Sequence, residues 1–563
     1  MSTWLRHRPH SLEKGRKGGG PTSRALVARL RSPASILAAS FALALASGCR
    51  SQALGQASGE PACELEQRFA PWRTWCHTPL HFVGAVPTPE ASRARLTPAA
   101  TLSVFGRSRF PSDRDNGAVW AGKGLSLHLA FGIGGSLGPL RYGIFPAVLW
   151  AQNLDFVVAD TTVAGYSSYA YPWDQTRIDW PQRMGSTATG DTSPGQSFLE
   201  INGWSRAAIG VSTENIWWGP SKRYPMILGA TSDGFPHAYG RSPTVAFGPF
   251  RTTIRAVLGQ LSESAYFGQT EWDWRTESTR NLLGALRVEI GEGITGVQVA
   301  VTSVLRQRWG AKPSLSNPLR IFYRTSQGLK GEQDADGFGA ITLVLPVTSI
   351  GVKLHGTWGR GDFFVDAEDL LTELEHNQFW AVGLHRVWRR TDHGPRWTFS
   401  AEHASSAASA TQNTLPRGPR SASVYRHDIV REGHTQRGQL LGASIGPGAR
   451  ATYVSLKRAQ NGRYTGVLVE RILWDMDTFR RKLVSLSPNG QDREWLFGGR
   501  FGTEVKISGL PNLRLDAFGG ASTRWNRQYV RFTGSLLDQP ERETNLWLDL
   551  RLAWTPDRGE VRK

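Results

Sequence analysis

Three short stretches of this chain carry residue types that do chemistry in other settings. Gly442-Ala443-Ser444-Ile445-Gly446 has the spacing of a nucleophile elbow, in which a serine is held on a tight turn between a strand and a helix. Here Pro447-Gly448 follows, and then the alternation Thr452-Tyr453-Val454-Ser455-Leu456. A strand where the helix should be makes a hairpin turn the better reading. Gly132-Ile133-Gly134-Gly135-Ser136-Leu137-Gly138 has the glycine density of a phosphate loop, but no helical pattern follows it. A phosphate loop needs that helix N-terminus, so this run also reads as a hairpin turn. Glu200 and Glu214 border a Trp-rich stretch, and two carboxylates around a sugar can run glycoside hydrolysis. The competing reading pairs each of them with arginine, and no catalytic residue is assigned. The sequence offers no His-Glu-x-x-His and no clustered Cys/His, so neither a metal nor a cofactor is expected.

The elements that would have to position such residues read as strands. Leu546, Leu548, Leu550, Leu552 and Trp554 alternate with Asn545, Trp547, Asp549 and Arg551. Leu125, Leu127, Leu129 and Phe131 alternate with Ser126 and His128, and Val297, Val299 and Val301 with Gln298, Ala300 and Thr302. One apolar and one polar face per strand fits a soluble antiparallel sheet or a membrane barrel with a polar lumen. Charged residues on the polar side and Trp or Tyr at strand ends favour the barrel. Roughly 16 to 19 such segments of about ten residues are present, the length a tilted membrane strand needs. The fold expected is therefore all-β: one large antiparallel outer-membrane β-barrel of about 18 strands, with long plugging loops and a few short helices. Residues 365–376 and 86–98 are candidates for those helices, and 153–196 and 213–243 are the long polar-aromatic connections. Connections of that length in a compact β protein are usually functional.

The first residues read as an address. Residues 1–48 hold eight Lys/Arg and one Glu, so seven of the nineteen net positive charges lie there and twelve on the rest. A basic stretch runs into the short apolar segment Ile36–Ala46, a signal-peptide layout. Export disfavours a nucleic-acid partner despite the basic charge. Ala46-Ser47-Gly48-Cys49 resembles a lipoprotein cleavage box, and lipidation of Cys49 stands beside its removal with the leader. Cys63 and Cys76 then remain as an even pair in an oxidising compartment, where a disulfide is open to them. The expected organisation is a signal segment over 1–48, an N-terminal periplasmic or linker segment over 49–98, the barrel over 99–555 and a polar tail over 556–563.

Gly210-Val211-Ser212-Thr213-Glu214-Asn215-Ile216-Trp217-Trp218-Gly219-Pro220, followed by Gly234-Phe235-Pro236-His237, resembles the Wzi family of capsule-assembly proteins. Pro146–Asn153, Pro194–Ser197, Gly259–Ser264, Gly361–Phe364, Glu375–Gln378 and Thr435–Gly442 resemble further blocks of that family in the same order. The chain departs from the pattern at Ser221-Lys222-Arg223, where a glycine is usual, and at Ala230–Asp233. The resemblance implies a barrel closed by its loops that holds capsular or extracellular polysaccharide at the surface as a lectin, without catalysis. Sugars lie on aromatic faces beside planar polar groups, which nominates Trp217, Trp218, Tyr224, His237, Trp272 and Trp274. The competing role for these aromatics is a membrane girdle or plug packing. Outer-membrane lipid and lipopolysaccharide are the other expected partners of a basic surface, with the protein a monomer. A porin with a conducting lumen is the alternative function, and a carbohydrate-active enzyme on the same barrel is a more remote one.

Overall fold

The computed structural model describes residues 95–160, 167–267, 280–291, 296–308, 335–361, 374–375, 377–389, 394–409, 424–428, 430–508, 510–532 and 542–554. The leader, Cys49, Cys63, Cys76, Trp272, Trp274 and nearly all of 365–376 lie outside them.

The described strands close into an 18-stranded antiparallel barrel. We number them β1 (Arg95–Arg107), β2 (Gly124–Leu137), β3 (Leu140–Ile144 with Ala147–Ala151), β4 (Thr189–Ser193 with Phe198–Asn202), β5 (Ala208–Ser212) and β6 (His237–Arg241 with Val245–Phe247). Then come β7 (Phe250–Ser262), β8 (Arg280–Gly291), β9 (Gln298–Arg308), β10 (Ala335–Val347), β11 (Val352–Gly361) and β12 (Gln378–Arg389). The wall is completed by β13 (Arg396–Ser405), β14 (Arg450–Gln460), β15 (Arg463–Leu473), β16 (Arg493–Ile507), β17 (Leu510–Trp525) and β18 (Arg542–Trp554). Each strand pairs with the next, and β18 returns to β1 with Trp554 opposite Ala100 and Trp547 opposite Arg107. Closure leaves no unpaired edge, which a lipid environment requires. Residues 95–98 belong to β1, so a helix over 86–98 is excluded at its C-terminal end.

The alternation legible in the sequence sets which face meets lipid. On β18, Leu546, Leu548 and Leu552 are exposed while Asn545 and Trp547 are buried. On β2, Leu125, Leu127, Leu129, Phe131 and Ile133 point out, and Ser126 and Ala130 are buried within. A period of two leaves no choice: one face of each strand meets lipid and the other the lumen. Arginine at position 548 would put a charge in the apolar band, at a cost of about 2–4 kcal/mol near the bilayer midplane. Leu548→Arg is therefore expected to lower the denaturant midpoint for folding into vesicles. Arginine at 549, where Asp549 faces the lumen and pairs with Arg107 at 2.5 Å, is expected to have no comparable lipid-transfer cost.

The connections alternate in length. Residues 138–139, 203–207, 248–249, 348–351 and 461–462 are tight turns at one end, which both chain ends of the barrel share. Asn461 and Gly462, both at positive φ (51° and 73°), make the Asn-Gly turn that matches strand twist. The Gly132–Gly138 run supplies the end of β2, with the turn at Gly138-Pro139. The opposite end carries the long connections, including 108–123, 152–188, 213–236, 406–449 and 474–492.

Candidate functional site

Described residues of those long connections turn inward and fill the lumen at their own end of the barrel. Trp218, Tyr224, Met226, Ile227, Leu228 and Phe235 from 213–236 are buried in one cluster with Tyr425, Leu440, Leu441 and Ile445 from 406–449. The same cluster includes inward residues of the wall, among them Val257, Leu283, Val304, Phe338, Phe379, Tyr453 and Trp547. The barrel thus has a hydrophobic core made by its own loops, and the plug is packed rather than draped.

Charge holds the plug to the wall. The β15 carboxylate Glu470 takes two bonds from Arg223, Nε at 2.7 Å and Nη2 at 2.8 Å, and one from the Tyr224 hydroxyl at 2.9 Å. Arg114, from 108–123, reaches Glu470 at 3.2 Å and Glu494 at 3.1 Å. Burial, and then the neighbouring Glu470 charge, push the Tyr224 hydroxyl well above its ordinary value. On β13, Glu402 accepts the backbone N–H of Lys222 (2.7 Å) and Arg223 (3.0 Å) and the Ser221 hydroxyl. Ser221-Lys222-Arg223, the stretch that departs from the family pattern, is therefore the knot that fastens 213–236 to two strands.

The remaining motifs act as clamps. Asn153, at φ 50°, donates from Nδ2 to the carbonyls of Met184, Gly185 and Thr187 at 2.8–2.9 Å. It thereby closes the base of 152–188. Thr435–Leu440 is a minute hairpin turned by Arg437 and Gly438, both at positive φ, and Arg437 pairs with Asp191. The Gly442–Gly446 motif is neither an elbow nor a strand-to-strand hairpin. It is a turn closed by Gly446 N–H on the Ala443 carbonyl (3.1 Å), inside the plug. Gly446 has φ 70°, and a Cβ there would meet the Trp180 ring at 2.6 Å, so glycine is what lets that indole lie against the turn.

Between the plug and the wall, at the long-connection end, lies a cavity of about 100 Å³. Its lining includes the aromatics Trp120, Phe156, Trp173, Trp180 and Trp474, with Gln182, Gln439, Arg524 and Arg527. Trp120, Phe156, Trp173 and Trp180 are partly exposed, whereas Trp474 and Tyr529 are buried. Trp180 stacks on Tyr171 with centroids 5.3 Å apart, and Trp173 donates to the Gln528 carbonyl at 2.8 Å. Arg524 is fixed by two bonds to Asp492, at 2.7 and 2.6 Å, and Arg527 by one to Glu543 at 2.7 Å. Indole faces next to oriented amides and guanidinium groups suit a neutral or acidic sugar.

The cavity also titrates. Asp113 lies in its wall, and burial pushes its carboxyl up to about 7, against the bond it accepts from Gln439 (3.2 Å). The folded state thus holds this proton more tightly than the unfolded chain, whose carboxyl titrates near 4. Stability falls as pH rises from about 4 through about 7. Asp113→Asn is expected to flatten that slope and to add about 1–2 kcal/mol at pH 8. Denaturant midpoints at pH 5 and pH 8 measure it, and equal wild-type midpoints would contradict it.

Of the residues nominated from sequence, Trp218 and Tyr224 are in the plug core, with Tyr224 wholly buried. No ring face is left for a sugar, and their role as platforms is withdrawn. Trp217 is half-buried, its indole N–H bonded to the Ser221 carbonyl at 3.1 Å. His237 is buried between Phe235 and Tyr239 and bonded through Nδ1 to the Phe235 carbonyl at 2.8 Å. None of these four lines the cavity. Glu200, on β4, is paired with Arg141 at 2.6 Å and accepts from the Tyr239 hydroxyl at 2.9 Å. Glu214 accepts from Ser212 at 3.1 Å. The long aromatic stretch 153–196 did signal the cavity, since it supplies Phe156, Trp173 and Trp180.

A closed barrel with a lipid-facing apolar band and a packed plug defines the class: this chain is an outer-membrane β-barrel protein. Among solved structures it is similar to Wzi of Escherichia coli, described as an outer-membrane protein involved in group 1 capsule assembly and a carbohydrate-binding β-barrel. The identity is 12%, over 81% of this chain and 84% of that one, with a TM-score of 0.51. Weaker likeness extends to a BenF-like porin from Pseudomonas fluorescens Pf-5 (11% identity, 82% and 98% coverage, TM-score 0.40). OprD of Pseudomonas aeruginosa is also similar (10%, 84% and 98%, TM-score 0.38). At these identities the likeness is one of fold. No family model matches the chain, and no curated protein matches it.

Proposed function

We propose that this protein is a surface lectin, a plugged barrel that holds capsular or extracellular polysaccharide at the cell exterior without catalysis. The observation that carries this reading is the aromatic-lined cavity beside a plug packed into the wall. In outer-membrane barrels the short turns face the periplasm and the long connections the exterior, so the cavity opens toward the side where such a polymer lies. The ordered sequence blocks, read as those of the Wzi family, support this reading.

A second reading is favoured by a specific feature. Below the plug, inward residues of the wall keep solvent access: the side chains of Arg514 and Asp516 are 43% and 29% exposed. Lys353, Lys457 and Arg500 point into the same half of the lumen, partly exposed. A wet, basic lumen suits a porin for small anions. One pair of measurements separates the two. Polysaccharide fragments titrated against intrinsic Trp fluorescence should give saturable quenching, and the protein in a planar bilayer should stay silent. Open-channel conductance with no quenching would replace the lectin by the porin.

A further inference from the structure

The outer wall of the barrel carries a feature that neither the plug nor the cavity uses. On β15–β18 the residues facing lipid form an apolar band: Val467 and Val469, Phe497, Ala521, and Leu546, Leu548, Leu550 and Leu552. At the long-connection edge of that band the character changes within one residue pair. Arg471 lies opposite Trp495, Arg493 opposite Trp525, and Trp525 opposite Arg542. Arg471 sits 5.8 Å from the Trp495 ring centre, and Trp525 is flanked by Arg493 at 4.9 Å and Arg542 at 5.7 Å. All three arginines are exposed. None has a carboxylate partner among the described residues. At this end of the four strands the acids Glu470, Glu494 and Glu543 face the lumen and are committed to Arg114, Arg223 and Arg527.

Three unpaired guanidinium groups along one rim would repel one another unless an anion lay among them. Stacking on Trp495 and Trp525 restricts each one while leaving its N–H edge free. That edge matches the oxygens of a phosphate. The site is level with the outer edge of the apolar band, on the wall rather than at the mouth. An anion there belongs to a lipid whose chains run down the band. The outer leaflet of such a membrane is built of a phosphorylated glycolipid. We propose that the Arg471–Arg493–Arg542 strip binds the phosphate groups of that glycolipid and seats β15–β18 in the outer leaflet. The proposal rests on the outer-membrane location and is independent of whether the plug cavity binds polysaccharide.

The test uses the full chain in detergent, folded as judged by unboiled gel mobility, with bis-phosphorylated lipid A as probe and bound lipid read by native mass spectrometry. Wild type is expected to retain lipid A. Arg471→Gln/Arg493→Gln/Arg542→Gln should retain about tenfold less, and so should wild type offered dephosphorylated lipid A. Arg386→Gln is the control. Arg386 stacks on Trp388 at 5.4 Å at the tight-turn end, and its loss should change nothing. Competition by millimolar inorganic phosphate alone would mean a free-anion site and overturn the lipid assignment. Equal retention by phosphatidylglycerol, or by the folded triple variant, would overturn it as well.

Discussion

Glu470→Gln is expected to lower the stability of the plugged barrel by about 3–5 kcal/mol, the usual cost of leaving a buried cation without its partner. The reason is local. Glu470 is buried on β15 and receives Arg223 bidentately, Arg114, and the Tyr224 hydroxyl. Glutamine keeps the size and removes the charge. Arg114 retains Glu494, but Arg223 is left with Asp115 at 3.9 Å. The loss should appear as a lower guanidinium midpoint and as protease cleavage within 213–236 while the wall stays intact. The same variant should conduct if the plug is what closes the lumen. An unchanged midpoint together with protease resistance would mean that the apolar cluster alone anchors the plug.

Trp120→Ala combined with Trp180→Ala is expected to weaken oligosaccharide binding about 100-fold. Aromatic anchors in desolvated pockets each contribute on the order of 1–2 kcal/mol or more, and 1.4 kcal/mol is a factor of ten. Both side chains are partly exposed in the cavity wall, so their removal takes away sugar-facing surface; Trp180 also packs against the edge of the central cluster, which makes the check of the fold part of the test. Calorimetric titration with fragments of the native polysaccharide measures the effect, and unboiled gel mobility checks the fold. A Trp217→Ala change is expected to have the smaller effect, because Trp217 is outside the cavity lining. If Trp217→Ala abolishes binding and the Trp120/Trp180 pair does not, the site lies in the 213–236 segment after all.

Several parts of this molecule were legible in its sequence for a simple reason. Lipid on one side and lumen on the other impose a period of two on every strand. The Leu546–Trp554 and Leu125–Phe131 runs therefore announced both their conformation and their facing. A turn was legible too, since the Gly132–Gly138 run read as a hairpin and ends β2 at the turn into β3. The long stretches 153–196 and 213–243 stood out by length and aromatic content. Their separate roles did not. Trp218 and Tyr224 carry the residue types of a sugar platform, and only their position against Phe338, Phe379 and Tyr453 makes them core.

What the sequence by itself determined, then, is the wall: strand length, alternation and number follow from local residue pattern, because each strand answers to a two-sided solvent. What the tertiary structure alone decided is the interior. Arg114 and Arg223 meet Glu470 across sequence separations of 356 and 247 residues, and Trp120, Trp180 and Trp474 reach one cavity from three different connections. Loops that fold into a lumen are organised by long-range packing and by the pairing of buried charge. Neither leaves a periodic mark on the chain.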